Sequence, residues 1–204
     1  AAYRNKDREL YAIVERNIRF NLRNYYRAQG SIGLIQYDHH INLGSVALAA
    51  QGLMEHPNRP SFARAERKLL NAVQWCWDKG KGTGQFATVI HPLNMNHGNN
   101  FYPGEALLTW SMVYRETKDP QLLEQFMGSF LYYRQWHLDP ENRKPAFVPW
   151  HVQAYFNMWE LTGDQRLVDF IFEMSDWLLS VQRKQAKTPD GAGQFYDPNR
   201  PHFG

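Results

Sequence analysis

Two side chains capable of acid–base chemistry, Glu105 and His151, occupy equivalent places in a repeated stretch of this chain. Glu105 follows Tyr102-Pro103-Gly104, and His151 follows Val148-Pro149-Trp150, so a proline that can open a helix stands two residues before each. Carboxyl and imidazole groups are common general acids and bases. We therefore treat both as candidate catalytic residues. The simpler alternatives, a helix-start acid stabilised by the helix dipole and a polar first-turn side chain, remain open.

Other residues suited to sugar chemistry stand in or beside the long loops. Hydrolysis of a glycosidic bond generally uses two carboxyl groups, and Asp38 is our candidate for the second because of its loop position. Aromatic faces and amide side chains position sugar rings. The candidate substrate-binding residues, which combine these types with loop histidines, are Tyr102, Trp150, His39, His40, His97, Asn99 and Asn100.

The first-turn position of Glu105 predicts its protonation state. A helix N-terminus stabilises the charged carboxylate and so lowers the pKa of Glu105. We expect this residue to act as a base, a nucleophile or an acceptor for a sugar hydroxyl. A pair of histidines would instead suit an epimerase, because imidazole titrates near neutrality.

A repeat of about 46 residues positions these side chains. The segment that begins at Phe101 ends at Thr117-Lys118-Asp119-Pro120, and the segment that begins at Phe147 ends at Thr162-Gly163-Asp164. A repeat of this length is typical of stacked helical hairpins. Aligning the apolar helices places Ser45, Glu105 and His151 at equivalent positions, preceded by Gly44, Gly104 and Trp150.

The pattern predicts a single all-α domain over residues 1–204. We expect a first helix over residues 4–28, and loops over residues 31–41 and 79–100. The predicted apolar, inner helices span residues 43–54, 103–116 and 149–162, and the amphipathic, outer helices span residues 62–78, 120–136 and 165–184. Tryptophans within the helices are expected in the core, namely Trp75, Trp77, Trp136, Trp159 and Trp177.

The Tyr-Pro-Gly-Glu-Ala-Leu-Leu stretch, closing on Thr-Lys-Asp-Pro or Thr-Gly-Asp, resembles the (α/α)6 toroid of six-hairpin glycosidases and related sugar epimerases and polysaccharide lyases. The resemblance covers most of residues 31–204. It implies a partial (α/α)6 toroid, part of a larger one, that binds a saccharide or oligosaccharide at the N-terminal ends of the inner helices. It further implies a hydrolase, lyase or epimerase activity. The alternative is a non-catalytic helical-repeat domain that binds a glycan or a protein.

Composition narrows the expected partners. The net charge is +3, and Arg16, Arg19, Arg23 and Arg27 form a basic stripe. Acidic residues interrupt this segment, which favours a solvated outer face over a nucleic-acid surface. We expect no cofactor, no metal and no membrane span. Gly193-Gln194-Phe195 matches Gly84-Gln85-Phe86, so a further apolar helix is expected to follow, either in a missing C-terminal half or replaced by self-association.

Overall fold

The computed structural model describes residues 7–80, 82–185 and 191–197, and this part of the chain is mainly helical. The elements, in chain order, are α1 (Arg8–Tyr25), β1 (Tyr26–Gln29), β2 (Ile32–Ile35), β3 (Ile41–Asn42), α2 (Leu43–Met54), α3 (Ala63–Lys79), β4 (Val89–His91), α4 (Tyr102–Thr117), α5 (Pro120–Leu138), α6 (Phe147–Thr162) and α7 (Gln165–Ser180). A single 3-10 turn, Arg59–Phe62, precedes α3. Among these helices none has the length and apolar character needed to cross a membrane.

Local chemistry explains where the repeated helices begin and end. Asp119 and Asp164 accept hydrogen bonds from the backbone two residues later and so cap α5 and α7. Lys118 and Gly163 adopt left-handed conformations that end α4 and α6, with φ of 54° and 70°. The two hairpins therefore turn by the same device, as the repeated sequence predicts.

The helices form two layers. In the inner layer α2 contacts α4, and α4 contacts α6; in the outer layer α3 packs on α2, α5 on α4 and α7 on α6. The middle inner helix, α4, is buried on all sides from Pro103 to Ser111. Between the layers lie large aromatic side chains, including the fully buried Tyr133, Tyr155 and Phe170. The all-α class and the predicted helices are thus confirmed to within a few residues.

The first predicted helix and the loop after it were partly wrong. Helix α1 ends at Tyr25, and β1 then pairs with β2 in an antiparallel hairpin that places Tyr26 opposite Ile35. Gly30, with φ of 56°, forms the turn between the strands. The hairpin packs closely on α3, because a Cβ on Gly33 would lie 3.1 Å from the backbone nitrogen of Leu69. Residues 4–6 lie outside the described residues.

Two further boundaries differ from prediction. The loop over residues 79–100 contains β4, which pairs with β3, and α7 ends at Ser180 rather than at residue 184. Phe86 is fully buried, whereas its repeat counterpart Phe195 is 38% exposed. The helix expected after Phe195 lies outside the described residues.

The tryptophans predicted to be core residues are only partly buried; they pack at the edge of a core filled by tyrosine, phenylalanine and leucine. Helix α1 is also peripheral, since none of its residues is buried. The arginine stripe, which continues into β1 at Arg27, is exposed, and a contact between Oε2 of Glu15 and Nε2 of the buried His56 joins α1 to the segment after α2. Exposure fits both a solvated face and a nucleic-acid surface, so the choice between them stays a prediction.

Candidate functional site

The first turns of α2 and α4 lie against each other at Gly44. A Cβ on Gly44 would overlap with Oε2 of Glu105 and come within 2.5 Å of the Tyr102 ring. Only glycine leaves room here for both side chains. The structure therefore places Glu105 and Tyr102 together, in a notch on the neighbouring inner helix.

The next junction, between α4 and α6, repeats this arrangement one helix further along. A Cβ on Gly104 would lie 2.7 Å from Cβ of Trp150 and 2.8 Å from Nδ1 of His151. The side chains of Glu105 and His151 thus each point toward the preceding inner helix. They lie at the same end of the helix layer but in successive junctions.

Glu105 is a buried acid. Its side chain belongs to a residue only 7% exposed, and Oε2 has no hydrogen-bond partner among the described residues. Burial raises the pKa of Glu105 to about 7. The expectation of a lowered pKa was wrong, because the cost of removing the carboxylate from water outweighs the favourable helix dipole. Glu105 can therefore give or take a proton near neutral pH.

A polar network fixes α4 beside α2 one turn below this carboxyl group. Gln51 donates from Nε2 to the backbone oxygen of Glu105 at 2.9 Å and to Oγ1 of Thr109 at 3.0 Å. The Thr109 hydroxyl also donates to the Glu105 backbone oxygen at 2.9 Å. These bonds hold the backbone of Glu105 rigidly while leaving its carboxyl group free.

His151 is sealed in the core. Its ring lies parallel to that of Phe147 at 3.6 Å between centroids, and its Nδ1 is 2.8 Å from the Phe147 carbonyl oxygen, which fits an N–H donor at Nδ1. Burial lowers the pKa of His151 to about 3. The imidazole is therefore neutral at ordinary pH and without contact to solvent.

The loop candidates divide into buried and exposed groups. Asn99 and Asn100 are buried, and side-chain atoms of both have no hydrogen-bond partner among the described residues. Tyr102 and Trp150 are half-buried, and burial raises the pKa of Tyr102. The exposed group consists of Asp38, His39, His40 and His97.

Asp38 is positioned differently from Glu105. It has a φ of 57°, and Oδ1 is 3.5 Å from Nε2 of His39, a side chain that is 93% exposed. Hydrogen bonds and ion pairs in the described part of the chain do not join Asp38, His39 or His40 to Glu105. The pairing of β3 with β4 nonetheless makes the loops that follow Ile35 and precede Tyr102 neighbours.

Another buried histidine, His137, was also missed by the sequence analysis. Its ring stacks on Phe147, as that of His151 does, with 4.5 Å between the ring centroids. Neither ring nitrogen of His137 has a hydrogen-bond partner among the described residues. Burial, reinforced by the nearby Arg143 charge, lowers the pKa of His137 to about 3. Its spacing from Phe126, Phe130 and Tyr133 on one face of α5 is the signal that could have revealed it.

The side chains that commonly bind metal ions are dispersed in the described structure. Within residues 7–80, 82–185 and 191–197, histidine, cysteine and acidic side chains form no group of three that could hold a metal ion.

Comparisons of the chain with protein-family models, with curated proteins and with solved structures find no match.

Proposed function

We propose that this chain is part of an (α/α)6 toroid acting on carbohydrate, and that it binds a saccharide at the N-terminal ends of α2, α4 and α6. The observation that carries the proposal is the buried carboxyl group of Glu105, which lies in the first turn of the middle inner helix with Oε2 unpartnered. A ligand hydroxyl or glycosidic oxygen would supply the missing partner. No cofactor is needed for hydrolysis, elimination or epimerisation by proton transfer.

The neighbouring groups suit a sugar. The Tyr102 ring beside Glu105 and the Trp150 ring one junction along offer aromatic faces, and the unpartnered amides of Asn99 and Asn100 offer hydrogen-bond donors and acceptors. Glu105, with a pKa of about 7, is the general acid or base of the proposed reaction. Asp38 is the candidate second carboxylate. It would have to approach when the ligand binds, and His39, His40 and His97 would form the exposed rim.

The substitution Glu105→Gln tests the proposal, because it keeps the shape of the side chain and removes its acid–base function. Turnover of an oligosaccharide panel should be lost while far-UV circular dichroism stays unchanged. Reducing-end release reports hydrolysis, absorbance of an unsaturated product reports elimination, and uptake of solvent deuterium reports epimerisation. Glu160→Gln on the exposed face of α6 is the matched control. Turnover unchanged by Glu105→Gln would reduce Glu105 to a helix-start acid.

A non-catalytic helical-repeat domain is the second candidate, and the burial of His151 favours it. With this imidazole neutral and out of contact with solvent, Glu105 is left without the acid–base partner that the repeat predicts. Isothermal titration with the same oligosaccharides separates the candidates. Binding without turnover supports a glycan-binding domain, and absence of binding points to a protein partner.

The edge of the inner layer supports the larger toroid. Phe156 on the outermost inner helix, α6, is 44% exposed. Covering such a side chain is favourable, so we propose that a further hairpin or a second copy packs there. Sedimentation of the protein, compared with that of Phe156→Gln, tests for self-association.

A further inference from the structure

A second concave surface lies between the outer helices, away from the first turns of the inner helices. It is a cavity of about 520 Å³ between α3, α4 and α5. This volume falls within the range of about 300–1,000 Å³ typical of small-molecule sites. It is separate from the residues of the proposed function.

Carboxamides form the walls of this cavity. Asn71 and Gln74 lie on one face of α3, and Gln121 and Gln125 lie one turn apart on α5. The side chains of Gln121 and Gln125 make no hydrogen bond within the described residues, although each amide has two donors and an acceptor. The two amides facing the cavity from α5 are therefore available to a ligand.

Two carboxylates complete the polar lining. Asp78 accepts a hydrogen bond from Gln74 at Oδ1, and Asp119 caps α5 through its own Oδ1. In each carboxylate Oδ2 is left without a protein donor in the described structure. No lysine, arginine or histidine is among the residues lining the cavity. An anion would therefore be repelled, whereas a group that donates hydrogen bonds would be favoured.

The base of the cavity is apolar. The indole of Trp110 lies there with Val113 of the same helix and Leu122 of α5. Trp110 and Leu122 are only 3% and 8% exposed, so the C–H face of a sugar would pack on their exposed edges and on Val113, while amides at the rim bind the hydroxyls.

The cavity between the next pair of outer helices, α5 and α7, has a different lining, so stacked hairpins do not always produce a cavity lined by carboxamides. The cavity between α5 and α7 is smaller, about 290 Å³, and its lining contains no carboxamide. Three of its four charged side chains are ion-paired, Arg134 with Glu173 at 3.5 Å and Arg166 with Asp164 at 2.5 Å. The fourth, Asp169, accepts a hydrogen bond from the Gln165 amide at 2.8 Å. Equivalent grooves of successive repeats thus differ in chemistry, and of these two cavities only the one between α3 and α5 is lined by carboxamides.

We propose that the cavity between α3 and α5 is a second ligand site that binds a neutral saccharide. Amides that both donate and accept, carboxylates that only accept, and an apolar base together match a ring whose hydroxyls both donate and accept. A polyamine would satisfy the carboxylates but leave the amide donors unused. A uronate would place its charge against Asp78 and Asp119.

Nuclear magnetic resonance of the side-chain amides tests the site directly. Millimolar cellobiose or maltose should shift the NH2 resonances of Gln121 and Gln125, while glucuronate and spermidine should not. The double variant Gln74→Leu/Gln125→Leu should weaken binding at the remaining Gln121 resonance by about tenfold, as expected for the loss of two hydrogen bonds. Gln165→Leu, an exposed glutamine at the start of α7, is the matched control and should leave the affinity unchanged.

The results also separate this site from the one at Glu105. Glu105→Gln should leave the shifts at Gln121 and Gln125 as they are, even if it abolishes turnover. The proposal is overturned if neither disaccharide shifts these resonances, if spermidine or glucuronate binds in their place, or if the folded double variant binds as well as the parent. Gln121→Ala, which affects only an exposed side chain, repeats the test should the double variant fail to fold.

Discussion

Two fully buried histidines, His137 and His151, make the stability of this protein depend on pH. Burial lowers the pKa of each from 6.5 to about 3. In the unfolded chain both return to their ordinary values, so between pH 6.5 and about 3 the unfolded state binds more protons than the folded state. The contribution of these two histidines to stability is therefore complete above pH 6.5 and is lost as the pH drops through this window.

The size of the effect follows from these values. At pH 5 each histidine lowers the free energy of unfolding by about 2 kcal/mol, and the pair by about 4 kcal/mol. Glu105 acts in the opposite direction: its raised pKa means that the folded state takes up a proton below pH 7, and this restores about 2 kcal/mol between pH 7 and 5. The net contribution of these three groups is thus a loss of about 2 kcal/mol over that interval.

The substitution His137→Phe isolates one histidine, because the ring stacks on Phe147 and makes no hydrogen bond in the described structure. Urea unfolding at pH 7 and pH 5 should show that the variant loses about 2 kcal/mol less than the parent between the two conditions. His39→Phe, at a side chain almost wholly in solvent, is the control and should leave the pH dependence unchanged. Equal pH dependence in His137→Phe and the parent would refute the assignment of His137 as a buried neutral imidazole.

Three further predictions concern the two helix layers and can be checked by thermal or urea unfolding. Gly44→Ala should destabilise the protein by about 1–3 kcal/mol, because the added Cβ would overlap with the Glu105 carboxyl group. Gly52→Ala, whose Cβ would meet nothing within 4 Å, should stabilise it by about 0.5–1 kcal/mol. Equal effects of the two substitutions would contradict the close packing of Glu105 on Gly44. Glu105→Gln should gain about 3 kcal/mol more stability than the parent as the pH rises from 4 to 8, because the variant lacks a buried acid whose ionisation opposes folding. Equal pH dependence in the variant and the parent would show that Glu105 makes no such contribution. Tyr133→Phe should lower the free energy of unfolding by about 1–3 kcal/mol, because it leaves the buried N–H of Phe86 without its acceptor. Tyr155→Phe, which removes an unpartnered hydroxyl, should be nearly neutral. The reverse order would contradict the hydrogen-bond assignment.

Local patterns account for what the sequence could predict. The apolar periodicity, together with Asp119 and Asp164 as caps, places both boundaries of five helices within two residues of the structure, because these signals act over a single helical turn. The β1–β2 hairpin was missed because Gly30 is equally suited to ending a helix and to forming a hairpin turn. Its stability comes from packing on α3, a contact between residues far apart in sequence.

The same distinction applies to the site. Alignment of the repeats predicted that Glu105 and His151 occupy equivalent first turns, but it could not predict their environments. The burial of Glu105 depends on Gly44, some 60 residues earlier, and that of His151 on the rings of Phe147 and Tyr155. A pKa is determined by such surroundings rather than by position on a helix, which is why the predicted direction for Glu105 was wrong.

The enclosure of α4 by the helices around it has a consequence for hydrogen exchange. Amides from Leu107 to Ser111 can reach solvent only when the whole inner layer separates, so they should exchange at the rate set by global unfolding. Helix α1, which contributes no buried residue, can detach through a local opening and should exchange orders of magnitude faster. The helices around α4 should thus unfold cooperatively, whereas helix α1 should unfold separately. A protease should therefore cleave α1 while the rest of the structure stays folded.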